Sequence, residues 1–94
     1  MKATQLYKDR RALSENAFVE YSLWRVPAPV KGSNHDFKYS LALVVDGLCV
    51  LRFDNEAGKG DHCPIDGQEF PYPFESIPRL LADFNQRVKD WGER

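Results

Sequence analysis

The run Arg52-Phe53-Asp54-Asn55-Glu56-Ala57-Gly58-Lys59-Gly60-Asp61-His62 crowds cations, carboxylates, an amide and an imidazole into one short stretch. Gly58 and Gly60 let the backbone turn its N–H groups toward an anion, and Lys59 between them adds a compact positive charge. His62, beside Asp61, has a side chain that titrates near neutrality (about 6.5), which suits a general acid or base. Arg52 and Asp54 stand two apart on a strand, so they share a face and can pair. The nucleotide-binding spacing G-x-x-x-x-G-K-[ST] is absent. Two readings stay open. Polar groups on a loop beside a rigid strand suit an active or binding site. A Gly-Lys-Gly turn with a surface ion pair contributing ~0–1 kcal/mol has no chemistry of its own.

Three further groups bear on that run. His35, Lys38 and Tyr39 open the strand expected to lie antiparallel to Arg52–Asn55, with Lys38 opposite Asn55 and Tyr39 opposite Asp54. They are therefore candidates for binding at the same rim, although a histidine in a loop is more simply solvated. Lys8, Arg10 and Arg11 form a basic run that can meet phosphates or simply face water. His35, His62 and Cys63 lack the spacing of a zinc site, so neither metal nor cofactor is expected. Cys49, within Leu48-Cys49-Val50-Leu51, reads as a buried reduced thiol.

The elements that must hold these residues follow from periodicity. Residues 3–11 alternate weakly, and residues 17–26 alternate with Val19, Tyr21 and Leu23 on one face. Phe37, Tyr39, Leu41, Leu43 and Val45 alternate strictly up to Asp46-Gly47, a two-residue hairpin turn, and residues 48–54 return. Uninterrupted pairing from that turn sets Val45 against Leu48, Leu43 against Val50, Leu41 against Arg52 and Tyr39 against Asp54. It leaves Ala42, Val44, Cys49, Leu51 and Phe53 on the opposite face, which is then apolar too. A short edge strand over 68–72 is a further candidate. Ser76 is placed to cap a helix over 77–91, with Pro78 in its first turn and Gly92 at its end. Ile77, Leu80, Leu81, Phe84, Val88 and Trp91 form its apolar stripe. The expectation is an α+β domain spanning 1–94, an antiparallel sheet of four to five strands crossed by one C-terminal helix.

Composition narrows the function classes. The chain has 94 residues, 43% hydrophobic and 13% aromatic, too rich in packing groups for disorder. No apolar run reaches the ~18 residues of a membrane span, and the N-terminus lacks a signal peptide's apolar region, so a cytoplasmic protein is expected. The net charge of -1 argues against a wholly basic nucleic-acid binder. Residues 1–52 nevertheless hold eight basic and five acidic residues, against five and nine in 53–94. Any polyanion must therefore be met locally.

Ala17-Phe18-Val19-Glu20, Trp24-Arg25, Lys38-Tyr39, Val44-Val45-Asp46-Gly47, Val50-Leu51-Arg52-Phe53-Asp54-Asn55 and Gly58-Lys59-Gly60-Asp61-His62 together resemble the TumE-like family. These are small toxin components of bacterial type II toxin–antitoxin systems. The similarity runs from about Lys2 through the C-terminal helix, and Asp-Asn-x-x-Gly-Lys-Gly-Asp-His is its most specific part. It implies a cytoplasmic toxin neutralised by a cognate antitoxin with a helix-turn-helix domain. Where the family pattern leads one to expect a basic residue and a second histidine, this chain has Cys63-Pro64.

By analogy with toxins of this size, RNA is the expected target and metal-independent cleavage the expected chemistry. That reaction needs a base for the 2′-OH, an acid for the leaving oxygen and cations for the phosphoryl oxygens. His62 is assigned as acid or base, Lys59 and Arg52 as the cations, and Asp54 or Asp61 as the orienting carboxylate. Asn55, Gly58, Gly60, Lys38, Tyr39 and His35 are assigned to substrate binding. The alternative is a non-enzymatic binding module, with the second apolar sheet face docking a partner or pairing two copies into a homodimer.

Overall fold

The computed structural model describes residues 3–30, 33–55 and 72–92. Strands β1 (Thr4–Ala12), β2 (Ala17–Arg25), β3 (Phe37–Val45) and β4 (Leu48–Asp54) precede helix α1 (Ile77–Gly92). The strands pair in chain order, each antiparallel to the next, giving the expected α+β arrangement. Of the candidate strand over 68–72, only Tyr72 is described, and it is not in a strand.

The β3–β4 hairpin turns at Asp46 and Gly47, both with positive φ (52° and 78°). Two successive left-handed residues match the right-handed twist of the strands they join, which is why Asp-Gly marks this turn. A second turn is stitched to it. The Asp46 N–H donates to the Asn16 carbonyl (2.8 Å), and the Asn16 side-chain amide donates to Asp46 Oδ1 (2.9 Å).

Helix α1 starts where its residues dictate. Ser76 Oγ accepts from the Arg79 N–H (3.2 Å), satisfying one of the helix's orphan donors, and Pro78 lacks the N–H that would otherwise be unpaired there. Leu80 and Phe84 are fully buried, and Ile77, Leu81, Val88 and Trp91 pack around the same core. Opposite them lie Val19, Tyr21 and Leu23 of β2, Tyr39, Leu41 and Leu43 of β3, and Leu51 and Phe53 of β4. Phe84 meets Tyr21 and Phe53 edge-on, at ring separations of 5.7 Å each. Two hydrogen bonds tie the helix down: Tyr21 Oη to Asn85 Oδ1 (3.0 Å) and Tyr72 Oη to Asp83 Oδ2 (2.7 Å).

The hairpin register departs from uninterrupted pairing. Val45 faces Leu48 and Val44 faces Cys49, but Leu43 then faces Leu51, Leu41 faces Phe53 and Ser40 faces Asp54. Val50 is the extra residue of a β-bulge, and every side chain beyond it changes face. The energetic reason is direct. Without the bulge, Arg52 and Asp54 would enter the core while Leu51 and Phe53 faced outward. Burying a leucine or phenylalanine contributes roughly 1.5–3 kcal/mol, whereas an ion pair taken out of water costs several kcal/mol per ion before its attraction is counted. The second apolar face is accordingly smaller than expected: Leu51 and Phe53 belong to the core, and Cys49 is an exposed free thiol, not a buried one. The ground for a homodimer on that face shrinks to Phe18, Val44 and their neighbours. Among the described residues, no helix is long and apolar enough to cross a membrane.

Candidate functional site

The side of the sheet away from α1 is ordered in cross-strand rows. At the turn end, Ala12, Phe18, Val44 and Cys49 lie side by side. The next row is Arg10, Glu20, Ala42 and Arg52, and the one after it is Lys8, Ser22, Ser40 and Asp54. Trp24 and Lys38 pair in the last. The face thus passes from apolar to cationic and hydroxyl-bearing toward the end at which β4 finishes.

Arg52 and Asp54 share this face, as their spacing requires. Arg52 Nε lies 2.9 Å from Asp54 Oδ2, with 43% of the arginine side chain exposed against 8% of the aspartate. The attraction is coulombic, because buried Arg52 Nε makes no hydrogen bond among the described residues. A sunken carboxylate therefore anchors a cation whose outer part reaches water. Arg10 is held differently: it pairs with Glu20 at 2.6 Å and lies 4.6 Å over the Phe18 ring. Lys8 and Lys38 are exposed and have no acidic partner among the described residues.

Asn55, the residue directly after β4, is almost fully buried (1% exposed). Its Oδ1 accepts from the Tyr39 N–H (3.0 Å), and its Nδ2 donates to the Phe37 carbonyl (2.7 Å) and to Ser33 Oγ (3.4 Å). The side-chain amide thus continues the ladder beyond the last residue of β4, fixing the point from which the chain leaves the sheet.

The bulge also separates residues expected together. Tyr39 lies on the core side, its ring parallel to Phe74 at 5.7 Å. His35 stacks on Phe74 at 3.8 Å, so it is no solvated loop histidine. Its Nδ1 accepts from the Phe37 N–H (3.3 Å), which places the neutral ring's proton on Nε2. Lys38, Arg52 and Asp54 are therefore together on the outer face, His35 and Tyr39 are on the other side, and Asn55 joins the strands. Gly58, Lys59, Gly60, Asp61 and His62 lie outside the described residues.

Trp24, Ser22 and Ser40 were not singled out as site residues, yet they stand beside Lys38. Trp24 Nε1 donates to Ser22 Oγ (3.0 Å). The available signal was strand phase: with Val19, Tyr21 and Leu23 inward, Ser22 and Trp24 must point outward. On the core side, Asp9 of β1 accepts from Arg11 Nε (2.7 Å) and Tyr7 Oη (3.1 Å), contacts that hold its carboxyl below the ordinary aspartate value. Burial pushes the Tyr21 phenol up. No cluster of three or more metal-binding side chains occurs among the described residues.

Comparison with known proteins gives one result. A family model described as Toxin TumE matches residues 3–92, which takes in all four strands and the helix. No curated protein and no solved structure gives a significant match.

Proposed function

The chain belongs to the TumE toxin family, and from that premise we propose that it acts on RNA and is neutralised by a cognate antitoxin with a helix-turn-helix domain. The observation that carries the RNA reading is the outer sheet face. It brings Arg52, Lys38 and Lys8 to one surface, and β4 delivers Arg52, Asp54 and Asn55 directly before the Gly58–His62 run in sequence. An overall charge of -1 is then no obstacle, since phosphates are met by a local patch.

In the proposed reaction the 2′-OH attacks the adjacent phosphorus, the P–O5′ bond breaks, and a cyclic phosphate and a free 5′-hydroxyl result. His62 removes the 2′-OH proton or supplies the one taken up by the leaving 5′-oxygen, water exchanges the other, and Arg52 and Lys59 stabilise the charge growing on the phosphoryl oxygens. Asp54 orients Arg52 through the ion pair, and Asp61 is placed in sequence to do the same for His62. Gly58 and Gly60 offer backbone N–H groups to the same anion. Asn55 acts by holding the strand end, because its amide is already engaged by β3.

The test is expression without antitoxin. Wild-type protein is expected to arrest growth and fragment cellular RNA, with cleavage by the purified protein persisting in EDTA. His62→Ala and Arg52→Ala are expected to relieve the arrest while remaining folded. Equal arrest by wild type and His62→Ala overturns the role of His62, and arrest with intact RNA overturns the RNA reading. Co-expression of a helix-turn-helix protein encoded next to the toxin should restore growth.

A further inference from the structure

The end of the outer face that the cleavage chemistry leaves unused carries its own assembly. Ser22, Trp24, Lys38 and Ser40 are among the residues lining a half-open depression of about 460 Å³, which Ala3, Val26 and Tyr39 complete. One of its walls is the Trp24 side chain, held in place by the hydrogen bond from its Nε1 to Ser22 Oγ. Lys38 stands directly across from Trp24, and Ser22 directly across from Ser40. Ser40 in turn neighbours Asp54, the carboxylate that holds Arg52.

We propose that this depression is a stacking subsite for one nucleotide of single-stranded RNA, with the base laid on the Trp24 indole and the flanking phosphates drawn to Lys38 and Arg52. The proposal rests on the RNA reading above and adds to it the form of the substrate and a residue outside the cleavage chemistry. An aromatic ring among cations on an open sheet is how proteins hold unpaired bases: the π-face accepts any base, and the cations follow the backbone. A duplex buries its base faces in its own stack and offers this depression only phosphates. Ser22 and Ser40 can exchange hydrogen bonds with a base edge, giving a modest preference among bases.

The probe is a fluorescein-labelled 12-nucleotide RNA with 2′-O-methyl groups throughout, which blocks cleavage, read by fluorescence anisotropy at low salt. Wild type should bind it more tightly than the same RNA in a duplex. Trp24→Ala should weaken binding about five- to 150-fold, the ~1–3 kcal/mol of one base–aromatic stack, and Trp24→Phe should restore most of it. Lys38→Ala should lower the slope of log affinity against log salt by about 0.7, the loss of one phosphate contact with a single strand. Binding by wild type that Trp24→Ala and Lys38→Ala leave unchanged overturns the subsite while RNA as target stands. No binding by wild type overturns both. If Trp24→Ala does not fold, as judged by circular dichroism, Trp24→Phe against Lys38→Ala decides: normal affinity and salt slope in Lys38→Ala overturn the subsite.

Discussion

The two faces of this sheet are built from the same four strands and obey different rules. On the core side, Val19, Tyr21 and Leu23 of β2 and Tyr39, Leu41 and Leu43 of β3 are large apolar or aromatic groups, and the two helix residues that meet them, Leu80 and Phe84, are fully buried. On the outer side, neighbours are matched by charge and hydrogen bonding: Arg10 with Glu20 across β1 and β2, Trp24 with Ser22 along β2, and Arg52 with Asp54 along β4. The first face is fixed by exclusion of water and tolerates little change of volume. The second is held by contacts each worth about 1 kcal/mol or less, and its cations remain available to a ligand. On β4, what assigns Leu51, Arg52, Phe53 and Asp54 to one face or the other is a single extra residue, Val50.

Deleting Val50 attacks that division most directly. Leu51 and Phe53 would turn outward, Arg52 and Asp54 would turn into the core, and cooperative unfolding should disappear in urea titrations followed by circular dichroism. A deletion variant of wild-type stability would show that the bulge does not decide the faces.

Asn55→Ala sharpens the comparison at the point where the faces meet. It leaves the buried Tyr39 N–H and Phe37 carbonyl without their partner, and should cost about 1–3 kcal/mol. Chemical denaturation reads that loss. A stable variant with impaired RNA binding would instead move Asn55 into contact with substrate.

Tyr72 tests the core side through pH. Its ring packs on Phe53 at 5.1 Å, and burial together with the Asp83 hydrogen bond raises its phenol well above the ordinary value. The folded form therefore binds the phenolic proton more tightly than the unfolded form. This contribution is fully present below about pH 10, the unfolded phenol value, and is lost as pH rises toward the folded one. Tyr72→Phe should lose about 1 kcal/mol at neutral pH and show a flatter decline of stability above pH 10 than wild type.

The smallest effect belongs to the outer face. Cys49→Ser, at an exposed position opposite Val44, should change stability by no more than ~0.5 kcal/mol. A loss of several kcal/mol at Cys49 would mean that the two faces are less different than their burial indicates.

Much of this was legible in the residues themselves. The strict alternation of Phe37–Val45, Asp46-Gly47 and the apolar stripe behind Ser76 each depend on neighbours a few positions away, so they give the right elements nearly to the residue. The candidate site was legible only in part. Spacing placed Arg52 beside Asp54, but Lys38 proved to share their face and Tyr39 did not, because the pairing slips by one residue before it reaches them. A sign of this was present: apolar residues occupy odd positions both in Phe37–Val45 and in Leu51–Phe53, whereas a two-residue turn without a bulge pairs odd positions with even ones.

The sequence by itself determined the strands, the turn, the helix and the family resemblance, because each is set by local stereochemistry or by residue identity. Only the tertiary structure decided which side of the sheet Arg52 and Asp54 occupy and that Trp24 lies next to Lys38. Those outcomes depend on what lies across the sheet. The bulge has a cost at Val50 and its gain comes from burying Leu51 and Phe53 against β2, β3 and α1, so the balance exists only once the distant parts of the chain have come together.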